Sequence, residues 1–177
     1  AGAGSTSDGF ISTFTISSDG TTITKVDSLE HDTDYGIRNS LVQVDSDTYA
    51  LAYAGADSDG FISTFTIDSD GTITAVKTQS EGNNLEHDTY TGTHNSLVQV
   101  DSDTYALAYS GTGDDGFIST FTIDSYGSIT AVKTQSEGNN LEHDTDNSTW
   151  NSPVPVDSDT YAFASVSYTN PRAHETS

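Results

Sequence analysis

The stretch "LEHDT" occurs three times, around His31, His87 and His143, with 56 residues between successive copies. "GFISTFTI" does the same around Phe10, Phe61 and Phe117, at intervals of 51 and 56 residues. Whatever one copy folds into, the others must fold into as well, and each must bury its apolar surface on its neighbour. Periods of this length belong to propellers and other modular arrays. The shorter first interval traces to "QSEGNN", present in "TAVKTQSEGNNLEHDT" and missing from "TKVDSLEHDT", which lengthens one loop.

Each repeat carries four strand signals, here lettered A to D: "NSLVQV" from Asn95, "TYALAY" from Thr104, "GFISTFTI" from Gly116 and "SITAVK" from Ser128. Apolar alternation bounded by Asp, Ser and Gly is the mark of strands joined by hairpin turns. In B, Tyr105, Leu107 and Tyr109 share one face, with Ala106 and Ala108 on the other. In C, Phe117, Ser119, Phe121 and Ile123 oppose Ile118, Thr120 and Thr122. Neither face is charged, whereas a sheet with one wet face alternates apolar with strongly polar residues. A large face and a small face suit sheets stacked face to face. The expectation is an all-β protein built from β-propeller blades of four antiparallel strands, with an array of β-sandwiches as the alternative.

Two edges are marked chemically. Pro153 and Pro155 stand two apart in the A strand of the last repeat, which places that strand at an edge. Lys25, Lys77 and Lys133 all fall on strand D, the other edge, where charge discourages pairing with a stranger. The order of strands gives a single repeat domain over residues 1–168. It opens with strands C and D (9–26), continues with full blades at 39–82 and 95–138, and closes with strands A and B (152–165), leaving a tail at 169–177. The two half-blades add up to one, so each chain has three blade-equivalents, too few for a ring of four to eight. Two copies supply six. A homodimer closing a six-bladed ring is therefore expected, the alternative being a piece of a longer repeat protein. The missing Met and missing charged-then-apolar leader point to a processed or excised segment.

Charge narrows the partners. Against 27 Asp and Glu stand five Lys and Arg, a formal net charge of -22. That excludes a phosphate-binding face, so nucleic acid is not expected. No apolar run is long enough for membrane insertion. With no Cys, disulfide and thiolate chemistry are absent. An acidic, Asp-, Ser- and Thr-rich chain of this kind suggests an extracellular or cell-surface protein of a salt-tolerant microbe.

The pattern "NSLVQVDSDTYALAYSGTGDDGFISTFTI" resembles that of secreted prokaryotic β-propeller repeat proteins. The resemblance spans nearly the whole chain to about Tyr168 and implies an architecture, not one activity. The blades lack a Trp-Asp ending, so the WD40 class does not fit. "SSDG" and "DSDG" sit where sialidase-like propellers carry Ser-x-Asp-x-Gly and an aromatic; here Asp and Gly adjoin and no aromatic follows.

Three features fall in the loops expected on one face of such a ring. Before each "NS" the residue changes, from Arg38 to His94 to Trp150, within a loop ("DYGIR", "YTGTH", "DNSTW") that is not copied although the framework is. With Tyr90, these residues form a candidate ligand surface, aromatic rings for stacking on sugars and polar groups for hydroxyls; neutral drift of an exposed loop is the competing account. Asp57, Asp59, Asp114 and Asp115 cluster in the B–C loops and are candidate ligands for Ca²⁺, an oxygen-seeking ion, against ordinary turn chemistry. "LEHD" brings a His between carboxylates, but it recurs unchanged in every repeat, which suits a structural role better than catalysis. No nucleophile, phosphate-loop or metalloprotease motif occurs. The sequence thus reads as a non-enzymatic recognition or adhesion module with a glycan as candidate partner, then as a structural repeat scaffold, and third as a glycoside-acting enzyme.

Overall fold

The computed structural model describes residues 7–79, 81–135 and 137–168. The protein is all-β, and its strands form four sheets in chain order, every ladder between them antiparallel. The first sheet is the hairpin of β1 (Gly9–Ile16) and β2 (Ile23–Asp32). The second holds β3 (Ile37–Gln43), β4 (Thr48–Ala54), β5 (Gly60–Ile67), β6 (Ile73–Lys77) and β7 (Leu85–Asp88). The third repeats it with β8 (Thr93–Gln99), β9 (Thr104–Ser110), β10 (Gly116–Ile123), β11 (Ile129–Lys133) and β12 (Leu141–Asp144). The fourth pairs β13 (Asn147–Pro155) with β14 (Tyr161–Tyr168). Among the described residues helix is limited to two single 3-10 turns, Ala56–Ser58 and Thr112–Asp114, and no helix is long and apolar enough to cross a membrane.

Two expectations need correction. "LEHD" lies in strands and not in loops: β7 pairs with β5, and β12 with β10, on the same edges that β6 and β11 occupy. The outer line of each full sheet is thus one strand broken by the insertion, and in the first sheet, without it, β2 runs unbroken. The insertion closes on itself. Asn83 N–H reaches Thr78 O at 3.3 Å, Thr78 N–H reaches Asn83 Oδ1 at 3.0 Å, and Asn84 Nδ2 donates to the buried Tyr53 hydroxyl at 3.1 Å. Strand A also starts earlier than "NS", with a bulge that takes in the Asn of that pair.

The prolines sit as expected. β13 has one ladder, to β14. Val156 N–H bonds Thr160 O at 2.8 Å, and ladder donors alternate in direction. Pro155 and Pro153 therefore occupy positions whose N–H would point away from β14.

The core lies between sheets. Ala50, Ala52 and Ile62 of the second sheet meet Leu97, Tyr105, Leu107, Tyr109, Phe121 and Ile123 of the third. Ile11 of the first meets Leu51, Tyr53, Phe65 and Ile73 of the second. In both contacts the small face of one sheet receives the large face of the next, the complementarity that close packing demands.

His31 and His87 are sealed into these contacts. His31 meets Tyr53 edge-on at 4.6 Å and Phe65 at 6.4 Å; His87 meets Tyr109 at 4.7 Å and Phe121 at 6.2 Å. Their ring nitrogens find no hydrogen-bond partner of good geometry. Burial holds the imidazole of His31 down to about 4, against the pull of the Asp32 charge, and that of His87 down to about 3, against a smaller pull from the Asn95 side chain. The adjoining Asp is a turn device: Asp88 Oδ1 accepts the N–H groups of Tyr90 and Thr91 at 3.0 and 3.1 Å, as Asp32 does for Asp34 and Tyr35.

A pH dependence follows. The folded chain keeps both rings neutral, whereas the unfolded chain takes up protons near pH 6.5, so stability is full above that value and declines as pH falls toward 4. Between pH 7 and 5 most carboxylates remain charged, and denaturant titrations there are expected to show a loss of about 2 kcal/mol for each ring, about 4 kcal/mol for the two. A His31→Gln/His87→Gln double variant with the same slope would show that these rings are not its source.

Candidate functional site

The changing residues before "NS" are all parts of the same backbone device. Ile37 pairs with Ala54 and Ser40 with Ala52, which leaves Arg38 and Asn39 together opposite Tyr53. His94 and Asn95 stand opposite Tyr109, and Trp150 and Asn151 opposite Ser165, in the same way. Two residues against one is a β-bulge, which bends the strand and re-aims a side chain. The first residue of each bulge is left-handed, with φ of 57° at Arg38, 52° at His94 and 58° at Trp150.

The second residue, always Asn, helps hold this geometry. Asn39 Nδ2 donates to Gly36 O at 3.1 Å and Asn95 Nδ2 to Gly92 O at 2.7 Å, each closing a loop over the bulge. Asn151 Nδ2 instead donates across to His94 O at 3.4 Å, tying the third bulge to the second. Behind Asn95 lies His87, whose ring faces Asn95 Oδ1. His87 therefore lies against the bulge of the following sheet.

β3 packs beside β8, and β8 beside β13, so the three bulges converge. Arg38, Asn39, His94, Asn95, Trp150 and Asn151 line one open pocket of about 220 Å³. The His94 ring meets the Trp150 indole edge-on at 5.5 Å, and the Arg38 guanidinium carbon lies 6.0 Å from the indole centroid, within reach of a cation–π attraction. Burial lowers the His94 pKa, the Arg38 charge lowers it further, and the Asp114 charge opposes both. His94 is thus a neutral ring, with Nδ1 placed 3.2 Å from Thr93 Oγ1. The indole remains 67 % exposed.

The structure brings together three of the four expected ligand residues. Tyr90 is exposed on the turn after β7 and does not line the pocket. The three asparagines escaped sequence reading because they do not vary; their repetition beside a variable position was the available signal.

Asp57 and Asp59 lie on one B–C loop, Asp114 and Asp115 on the equivalent one. Asp57 and Asp114 are left-handed, at φ 57° and 65°, and Gly55 N–H to Asp59 O at 2.9 Å closes the first loop. Burial, then the charge of Asp57, raises the carboxyl of Asp59; burial, then the charge of Asp59, raises that of Glu86. Among the described residues no three His, Asp or Glu side chains gather as a metal-binding group. A Ca²⁺ here, with its six to eight oxygens, would draw on backbone carbonyls and water.

No protein-family profile matches the chain. Comparison with curated proteins gives no match either.

Proposed function

We propose that the protein is a β-propeller module, three blade-equivalents per chain and six in a homodimeric ring, that recognises a carbohydrate at the three-bulge pocket and performs no chemistry on it. The carrying observation is that one backbone device, copied in three sheets, delivers a different side chain each time into a single pocket. Left-handed backbone costs a non-glycine residue about 1–2 kcal/mol, and strain of this kind collects at functional positions. The chemistry suits a sugar. An open indole offers a flat apolar face, and the carboxamides of Asn39 and Asn151 with a neutral imidazole offer donors and acceptors for hydroxyls. The pocket is smaller than the roughly 300 Å³ at which drug-sized sites begin, which fits one terminal sugar ring. Its lining residues include no carboxylate, and glycoside hydrolysis calls for a pair. An extracellular or surface setting accords with this role.

The test is a glycan array followed by titration of the best ligand. Trp150→Ala is expected to weaken binding at least about tenfold, equivalent to about 1.4 kcal/mol, with an unchanged far-ultraviolet spectrum. Equal affinity in the variant would remove this site, and no binding to any glycan would remove the carbohydrate reading. A structural scaffold is the second reading, favoured by the apolar side chains left exposed on the first sheet.

A further inference from the structure

We infer that the three-bulge site is shared between two copies of this chain: β1 of one copy adds to β14 of the other, and the partner's Arg38 comes to stand beside Trp150. This rests on the propeller reading. What covers the open faces is written inside the chain, because the same contact is already made twice there.

Phe65, Phe121 and Ile123 are fully buried, and Ile73 is 6 % exposed, each on the sheet before. At the same repeat positions on the first sheet, Phe14 is 55 %, Ile16 65 % and Ile23 67 % exposed. The receiving face shows the matching gap. Ile11 and Ile62 are buried, but on the third sheet Val132 and Leu141 are 47 % and 60 % exposed. His31 and His87 each meet two rings of the following sheet, whereas His143 meets Phe163 and no second ring among the described residues.

The hairpin turns tell the same story. Thr13 Oγ1 donates to Gly71 O at 2.6 Å and Thr64 Oγ1 to Gly127 O at 2.7 Å. Thr120 is next in that series, and the remaining glycine turn is Gly20. A Cβ at Gly71 or Gly127 would strike the sheet before it, while one at Gly20 would meet nothing within 4 Å. The surface that the third sheet lacks is therefore the β1–β2 hairpin, with Phe14 as the second ring on His143 and Gly20 over Thr120. Within one chain the first and last sheets do not pair, so a second copy supplies it, and a two-fold axis makes the same junction twice.

The repeat also sets the register. Ile62 faces Ala52 and Ile118 faces Ala108, so the partner's Ile11 faces Ala164 and the partner's Thr13 faces Ala162. After the completed sheet comes the partner's β3, related to β13 as β8 is to β3. Its bulge brings the partner's Arg38 to the free side of the Trp150 pocket.

The test is sedimentation in about 1 M NaCl, where screening length falls to about 3 Å, together with air oxidation of a Thr13→Cys/Ala162→Cys variant of this Cys-free chain. The two positions form a non-hydrogen-bonded pair about 4.5 Å apart, within disulfide range. The expected results are a particle of twice the 18.7 kDa chain mass and a covalent dimer on a non-reducing gel. A Phe14→Ser variant, altered at an exposed site of the single chain, is expected to be a folded monomer. A monodisperse wild-type monomer, or an oxidised monomer crosslinked within itself, overturns the junction. Mass and crosslink are read without sugar, so a dimer that binds no glycan overturns the recognition reading alone.

Discussion

Replacing Gly60 by alanine is expected to cost the protein about 3 kcal/mol and lower its melting temperature by about 10 °C. An added Cβ would stand 2.3 Å from His87 Cε1 and 2.4 Å from Nε2. That ring is fully buried between sheets and wedged against Tyr109 and Phe121, so it has no direction in which to yield. Gly92 closes the other side, since a Cβ there would lie 2.2 Å from Gly60 Cα. The double variant Gly60→Ala/His87→Ala is expected to cost less than the sum of the two single changes, because the smaller side chain makes room for the methyl. In the Phe14→Ser background, where the opposing ring is the half-buried His143 of a single chain, Gly116→Ala is expected to cost less than Gly60→Ala. Differential scanning calorimetry of these variants decides the matter. Full tolerance of the Gly60→Ala change would mean that the sheets are packed more loosely than described.

Replacing Arg38, His94 and Trp150 together by glycine is expected to do the opposite, stabilising the fold while abolishing ligand binding. Each of the three is left-handed, a conformation glycine adopts without steric cost. Relief of about 1–2 kcal/mol per site is offset by about 0.5–1 kcal/mol of added backbone entropy in the unfolded chain. Loss of the His94–Trp150 contact takes back part of the remainder. A net gain of about 1 kcal/mol would raise the melting temperature by about 3 °C. A clear fall in melting temperature would show that these side chains serve packing, and that the pocket is incidental.

The sequence disclosed strands B and C almost to the residue, because both faces of each are apolar or small and their turns are spelled in Asp and Gly. It concealed the second half of the outer strand. Leu85–Asp88 is four residues long, partly charged, and follows an insertion rich in Gly and Asn, so it reads as loop. The first repeat held the clue, since "ITKVDSLEHD" has no Gly, Pro or Asn to interrupt it and forms β2 throughout. Variation at positions 38, 94 and 150 was visible as text. Their convergence was not, because it depends on a bulge that no single residue type announces, and on sheets stacking closely enough to bring three of them to one place.

In the proposed reading, the bulge also separates what the chain recognises from how the chain stands up. Its backbone conformation is set by the asparagine that follows and by the strand opposite, and the cost of a left-handed centre is much the same for arginine, histidine or tryptophan. Exchanging one of these for another is therefore close to neutral for folding while changing what the pocket prefers. The residues before each vary too, from "DYGIR" to "YTGTH" to "DNSTW", beside strands B and C that are largely copied. A lineage that duplicates or reshuffles such repeats can compose new specificities by rearranging these residues, without having to solve the folding problem again.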